Sequence, residues 1–243
     1  MVINKINVCL SPGLFEFYAE NNTAIVMVDA IRASASICTA FMNGVQFIIP
    51  VAETADALSY KIKGYKTAGE RNGKKLDGFD FGNSPFNFSE ENIKNQKLAF
   101  TTTNGTQAVN LVKKSNLSEI ELLIGSFINI SSLANYLTNQ NKNILILCSG
   151  WKNTVNIEDT LFAGRLAHLL LQKKEFETSE AANLVLTVYK CSGNSFYDFV
   201  TDNSPRLKEK AAFLEDDFRY CLTENLTDKI PYLQKDKLVL LNF

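Results

Sequence analysis

Five short apolar runs, at residues 24–28, 45–51, 98–101, 121–124 and 143–147, each lead through a turn or loop into a segment with apolar positions at helical spacing. The helical partners span 33–41, 54–62, 107–114, 131–137 and 157–174. Runs this apolar suit strands covered on both faces, and strand–helix alternation places the helices there. The pattern predicts an α/β fold, a three-layer α/β/α arrangement around a largely parallel or mixed sheet. Residues 179–190 fit either a strand or a helix, and a helix with Ser179 at its N-cap is expected. Residues 204–220 read as a helix with one break, and 237–241 as a last strand at a sheet edge. Residues 66–85 read as one long loop punctuated by glycine, longer than a plain connection needs. No repeat or linker forces a boundary. One α/β domain over 1–243 is expected, with two intimate halves meeting near 115–145 as the alternative.

Charge narrows the partners. Twenty-five basic and twenty-six acidic residues leave a net charge of -1, with no polybasic tract for nucleic acid or a membrane surface. A small-molecule partner is therefore expected, and self-association into a homo-oligomer is left open. Cys9, Cys38, Cys148, Cys191 and Cys221 are scattered and odd in number, without Cys-x-x-Cys spacing, as expected of reduced thiols. No leader pattern or membrane-length apolar stretch is visible, so a cytoplasmic location is expected.

The chemistry concentrates in the loops. Asp29 follows the first apolar run and precedes Arg32; it could hold Mg²⁺ or pair with that arginine. Glu70 and Arg71 stand adjacent in the glycine-bounded stretch Gly69-Glu70-Arg71-Asn72-Gly73, where a solvated surface pair is the plainer reading. Asp80 sits between Phe79 and Phe81, followed by Asn83 and Ser84. Thr102, Thr103, Asn104 and Gly105 precede a helix whose free N–H groups would suit phosphate or sulfonate, or would simply be capped by those side chains. Glu158 and Asp159 open the long helix, where acidic residues also complement the dipole. If the strands ending near 28, 101 and 147 are parallel, these loops share one end of the sheet.

Other chemistries drop out. Residues 69–74 lack one spacer residue of a Walker A loop, and Lys75 stands where Ser or Thr should follow its lysine. The one histidine, His168, lies in an apolar helix and suits packing or surface better than a catalytic base. No cysteine has an arginine six residues later, so a cysteine-loop phosphatase is unsupported.

Taken in order, Val28-Asp29-x-x-Arg32-Ala33-Ser34, Gly69-Glu70-Arg71-Asn72-Gly73, Gly78-Phe79-Asp80-x-Gly82-Asn83-Ser84-Pro85, Thr101-Thr102-Thr103-Asn104-Gly105-Thr106, Gly125-Ser126-Phe127 and Glu158-Asp159-Thr160 resemble the 2-phosphosulfolactate phosphatase family. A weaker echo follows at Asp216-Asp217-x-x-Tyr220-Cys221. The resemblance implies an α/β fold of the family's own type and a Mg²⁺-dependent phosphatase. Its reaction would convert 2-phospho-3-sulfolactate to 3-sulfolactate and phosphate, a step of coenzyme M biosynthesis. The chain departs from the family's usual Ser-x-His with Ser204-Pro205-Arg206, and carries Ala-Ser-Ala-Ser after Arg32.

On this reading Asp29, Arg32, Glu70, Arg71, Asp80 and Asp159 are the catalytic candidates. Asn83, Ser84, Thr102, Thr103, Asn104 and Gly105 would bind substrate, and Asp29, Glu70, Glu158 and Asp159 would position Mg²⁺. Water attack and an aspartyl-phosphate on Asp29 are both open. A phosphatase for another phosphorylated 2-hydroxy acid, a lyase or transferase with a phosphoenolpyruvate-like ligand, and a non-catalytic phospho-metabolite binder are the alternatives.

Overall fold

The computed structural model describes residues 3–241. Its strands in chain order are β1 (Lys5–Cys9), β2 (Thr23–Val28), β3 (Phe47–Pro50), β4 (Lys66–Arg71), β5 (Lys74–Lys75), β6 (Lys97–Thr101), β7 (Glu121–Gly125), β8 (Asn143–Cys148), β9 (Glu177–Thr178), β10 (Pro231–Gln234) and β11 (Lys237–Leu240). The helices are α1 (Phe15–Tyr18), α2 (Ala33–Met42), α3 (Thr54–Ile62), α4 (Glu90–Ile93), α5 (Gly105–Lys114), α6 (Ile130–Thr138), α7 (Ile157–Leu171), α8 (Glu180–Lys190), α9 (Phe196–Asn203) and α10 (Pro205–Cys221). The chain is an α/β protein with one mixed, mostly parallel sheet flanked by helices, in the order β5-β4-β6-β3-β11-β10-β7-β2-β8-β1-β9 among the described residues. None of these helices is long and apolar enough to cross a membrane.

The sheet has two parallel wings. β1, β8, β2 and β7 run together, with Val26 opposite Ile146 on one side and Leu123 on the other. β3, β6 and β4 form the second parallel set. The hairpin β10–β11 joins them, antiparallel to β7 on one side and to β3 on the other. Three successive antiparallel pairings reverse the direction, so β6 runs opposite to β2. The expectation that the strands ending at 28, 101 and 147 are all parallel therefore holds for β2 and β8 and fails for β6.

The reversal does not separate their ends. Ile25, Met27, Ile124 and Leu147 from the first wing share one buried cluster with Ile48, Ala68, Leu98 and Phe100 from the second, together with α2 and α5. The wings thus face one another across those helices. A second cluster fills the other face of the first wing, where Val26, Val28 and Ile146 meet Leu161, Phe162 and Val185 of α7 and α8. Helices α7 and α8 cross closely at Gly164, where an added Cβ would lie 2.1 Å from the Val185 carbonyl oxygen. Gly125 is equally committed to packing, since a Cβ there would meet Val26 at 2.5 Å and Phe162 at 2.8 Å.

Several sequence expectations need correction. Residues 66–85 are not one loop: β4 joins the sheet beside β6 and turns through Asn72 and Gly73 into β5. Asn72 and Gly73 have φ of 55° and 83°, as a two-residue hairpin turn matching strand twist requires. The strand at 237–241 is central rather than at an edge, because the hairpin is inserted between the wings. β1 was not anticipated. Ser179 caps α8 through the Ala182 amide as expected, and α10 breaks at Leu214. All five cysteines are free, Cys191 alone being exposed.

Candidate active site

Asp29 lies where β2 runs out and α2 has yet to begin. Its Oδ2 accepts the amide of Gly105, the first residue of α5, at 3.1 Å, and the amide of Ala33, the first residue of α2, also favours the carboxylate anion. Two helix N-termini therefore converge on one side chain. The place that the sequence offered to phosphate, at the start of α5, is held by a carboxylate of the chain itself. Gly105 permits this approach, since a Cβ there would lie 3.1 Å from both Asp29 Oδ2 and Ala33 Cβ. Burial and the charges of Glu70 and Glu158 nevertheless push the Asp29 pKa up to about 7, outweighing the amides.

Three more carboxylates surround it. Asp159 opens α7 and is fully buried; Oδ1 accepts the Ala30 amide at 2.8 Å, while Oδ2 accepts Gly150 N and Asn156 Nδ2, each at 3.0 Å. It ties the end of β2 to the loop after β8. Burial, Glu158 and Asp29 hold its pKa well above the usual carboxylate range. Glu70 clamps two turns, accepting Thr103 N at 2.9 Å and Gly73 N at 2.5 Å. Glu158 pairs through Oε1 with Arg206, while its buried Oε2 has no partner. Among the described residues no group of three or more His, Cys, Asp or Glu side chains makes a protein-built metal cage.

The cations stand opposite. Arg32 is buried, ion-paired through Nη1 with Asp217 of α10, and donates from Nη2 to the Gly73 carbonyl at 3.1 Å. Ser84 donates to the other Asp217 oxygen at 2.7 Å. Asp29, Arg32, Glu70, Asn83 and Asn104 line one cleft, whose far wall is Trp151 with Arg206, Lys210 and Leu214 of α10. Asn83 Oδ1 and Thr103 Oγ1 are buried without partners. Asn104 Oδ1 accepts the Lys152 amide at 3.2 Å. Thr102 serves the helix start instead, exchanging hydrogen bonds with Thr106 in both directions.

Neither Arg71 nor Asp80 lines the cleft. Arg71 donates to the carbonyls of Glu70 and Ala52 and to Thr101 Oγ1, at 2.8, 3.0 and 3.0 Å, so its guanidinium fastens β4 to its neighbours. Asp80 accepts the amide and hydroxyl of Thr67, both at 2.8 Å, and contacts Lys61. The Thr67 bonds and Lys61 hold the Asp80 pKa below the usual carboxylate value, against partial burial. Asp80→Ala should therefore cost about 1 kcal/mol of stability and leave kcat unchanged. Because its folded pKa is depressed, that contribution is present above the unfolded value near 3.8 and is lost as pH falls through the lower folded one. Urea titrations at pH 7 and pH 3 should show a smaller wild-type advantage at the second than at the first.

The sequence reading missed Trp151, Lys210 and the placement of Arg206. The available signal was weak: Arg206 and Lys210 are spaced i, i+4 on the broken helix, far along the chain from Asp29.

The chain is similar to known proteins over most of its length. The family model described as 2-phosphosulpholactate phosphatase matches residues 9–236. A probable 2-phosphosulfolactate phosphatase of Clostridium perfringens (strain SM101) is 33% identical over 233 residues, 93% of this chain and 92% of that protein. Proteins with the same description from Caldanaerobacter subterraneus subsp. tengcongensis and Thermotoga maritima are each 31% identical. They cover 86% and 92% of this chain, and 87% and 94% of their own lengths.

Proposed function

The chain belongs to the 2-phosphosulfolactate phosphatase family, and from that premise we propose that its cleft hydrolyses 2-phospho-3-sulfolactate to 3-sulfolactate and phosphate with Mg²⁺. The observation that carries this reading is Asp29: a buried carboxylate at the start of two helices, flanked by Glu70 and Glu158, with Arg32 in the same cleft. Such a site is rich in hard oxygen donors and has a guanidinium for phosphoryl oxygens.

The donor set fits magnesium. Glu158 Oε2 and Asn83 Oδ1 are buried acceptors without donors, and Asp29 is destabilised as an anion by its acidic neighbours. Mg²⁺ typically takes one or two carboxylates and completes its shell with water and substrate oxygens. Asp29 and Glu158 would hold it, with Glu70 and Asp159 behind them fixing the turns. When bound, the ion supplies neutralisation of phosphoryl charge.

The remaining work belongs to side chains and backbone. Arg32, held by Asp217 and the Gly73 carbonyl, directs its free N–H groups to the phosphoryl oxygens. Asp29 acts at phosphorus, either orienting the attacking water or forming the acyl phosphate that water then opens. In both routes the bond from phosphorus to the C2 oxygen breaks and an oxygen of water ends on phosphate. Thr103 and Asn104 keep the adjoining turn in place.

The test is phosphate release from 2-phospho-3-sulfolactate, 2-phospholactate and 2-phosphoglycerate, with Mg²⁺ and with excess chelator. Turnover led by the sulfonated ester and lost on chelation is the expected result. Chelator-insensitive turnover would remove the metal from this scheme. Preference for another ester would reassign the substrate, and binding without release of phosphate would mark a binding protein.

A further inference from the structure

The cations of the cleft are not equivalent. Arg32 is matched by Asp217 and Arg206 by Glu158, whereas Lys210 has no carboxylate within ion-pair distance among the described residues. Its position is nonetheless fixed. Nζ stands 4.7 Å from the centroid of the Trp151 ring, over which Arg206 also lies at 4.8 Å. On its other side is the Gly73 turn, where an added Cβ would come within 3.6 Å of Nζ. An ammonium lodged between an aromatic face and a glycine turn gives up part of its hydration without a carboxylate in ion-pair contact. Burial and Arg206, with Arg32, hold its pKa below the ordinary lysine value, against the charges of Glu70 and Glu158.

We propose that Lys210, set against Trp151, is the subsite for the sulfonate of the substrate and is the residue that makes this cleft prefer a sulfonated phosphoester. The inference rests on the proposed reaction and extends it from the phosphoryl end to the other end of the substrate. An ester carrying phosphate, carboxylate and sulfonate needs more than one cation. Arg32, beside Asp29, is engaged at the phosphoryl end, and Lys210 alone among these three cations comes to the ligand without an ion-paired carboxylate. Lys210 lies on α10, one turn after Arg206 and one turn before the break at Leu214. It is set by a different element from Asp29, so charge recognition and chemistry are held by separate parts of the chain.

Trp151 is the one tryptophan of the sequence, so its fluorescence reports on this subsite directly. Titration with 3-sulfolactate should change that emission, and Lys210→Met should weaken the binding by roughly 30-fold, with most of it restored in Lys210→Arg. Lactate, which lacks the sulfonate, should bind the wild type and Lys210→Met within about threefold of each other, well inside the effect of losing a desolvated charge pair. In turnover, the wild-type preference for 2-phospho-3-sulfolactate over 2-phospholactate should shrink by a similar factor in Lys210→Met, chiefly through KM. Equal weakening of both ligands would assign Lys210 to a shared carboxylate. Undiminished 3-sulfolactate binding in Lys210→Met, or no emission change in the wild type, would overturn the assignment outright. Discriminating binding without phosphate release would leave this subsite standing and remove the proposed reaction.

Discussion

Asp29→Asn is expected to lower kcat for 2-phospho-3-sulfolactate by about 10³-fold or more, because on the proposed mechanism it deletes the carboxylate that acts at phosphorus. The fold should persist. Asn has the same size, and its carbonyl can still accept the Gly105 amide that Asp29 Oδ2 takes at 3.1 Å. A pH signature accompanies the loss. Burial, Glu70 and Glu158 raise the folded pKa of Asp29 from 3.8 to about 7. A raised carboxylate pKa means that the folded state holds the proton more tightly than the unfolded one. Its stabilising contribution is complete below 3.8 and is lost as pH rises through about 7. Denaturant titrations of the ligand-free wild type should thus show stability falling across that window, and Asp29→Asn should flatten the fall. Near-normal turnover in the variant would take Asp29 out of the mechanism. An unchanged pH slope would show that Asp159, whose pKa is also raised, governs the titration.

Asp217→Ala should produce the largest loss of stability, about 3–5 kcal/mol. Arg32 and Asp217 are each only 8% exposed, so truncating the acid leaves a guanidinium buried with the Gly73 carbonyl as its remaining partner. The Ser84 hydroxyl loses its acceptor as well. Pairing the change with Arg32→Met should recover much of the stability, since the penalty comes from the stranded charge. Activity should not return, because the cation proposed to face the phosphoryl group has gone. A single-variant loss below about 1 kcal/mol would show that the pair is solvated in solution and is worth no more than a surface ion pair.

The α/β alternation was legible because apolar runs such as 24–28 and 143–147 carry their own periodicity. What escaped was pairing across distance. Nothing local in residues 237–241 says that their neighbours will be β10 and β3 rather than solvent. Asn72-Gly73 was a missed local signal, since that dipeptide between extendable segments favours a two-residue hairpin. At the site, the acidic residues and Arg32 could be singled out because glycine-rich turns surround them. Their division of labour could not. Glu70 and Asp159 spend their oxygens on backbone amides, which no spacing reveals, and Arg71 faces carbonyls although it adjoins Glu70 in sequence. Lys210 and Arg206 read as ordinary helix-surface charges until α10 is folded against Trp151.

The hairpin between the wings also sets an order of events. Among the described residues β10 and β11 follow every other strand, yet they alone link β7 to β3 in the sheet. A nascent chain halted before residue 231 would carry two finished parallel layers with raw, unpaired borders facing outward. Such borders invite pairing with another ribosome's product before their own hairpin emerges. The hairpin at residues 231–240 is thus the seam that turns two sticky half-sheets into one continuous sheet.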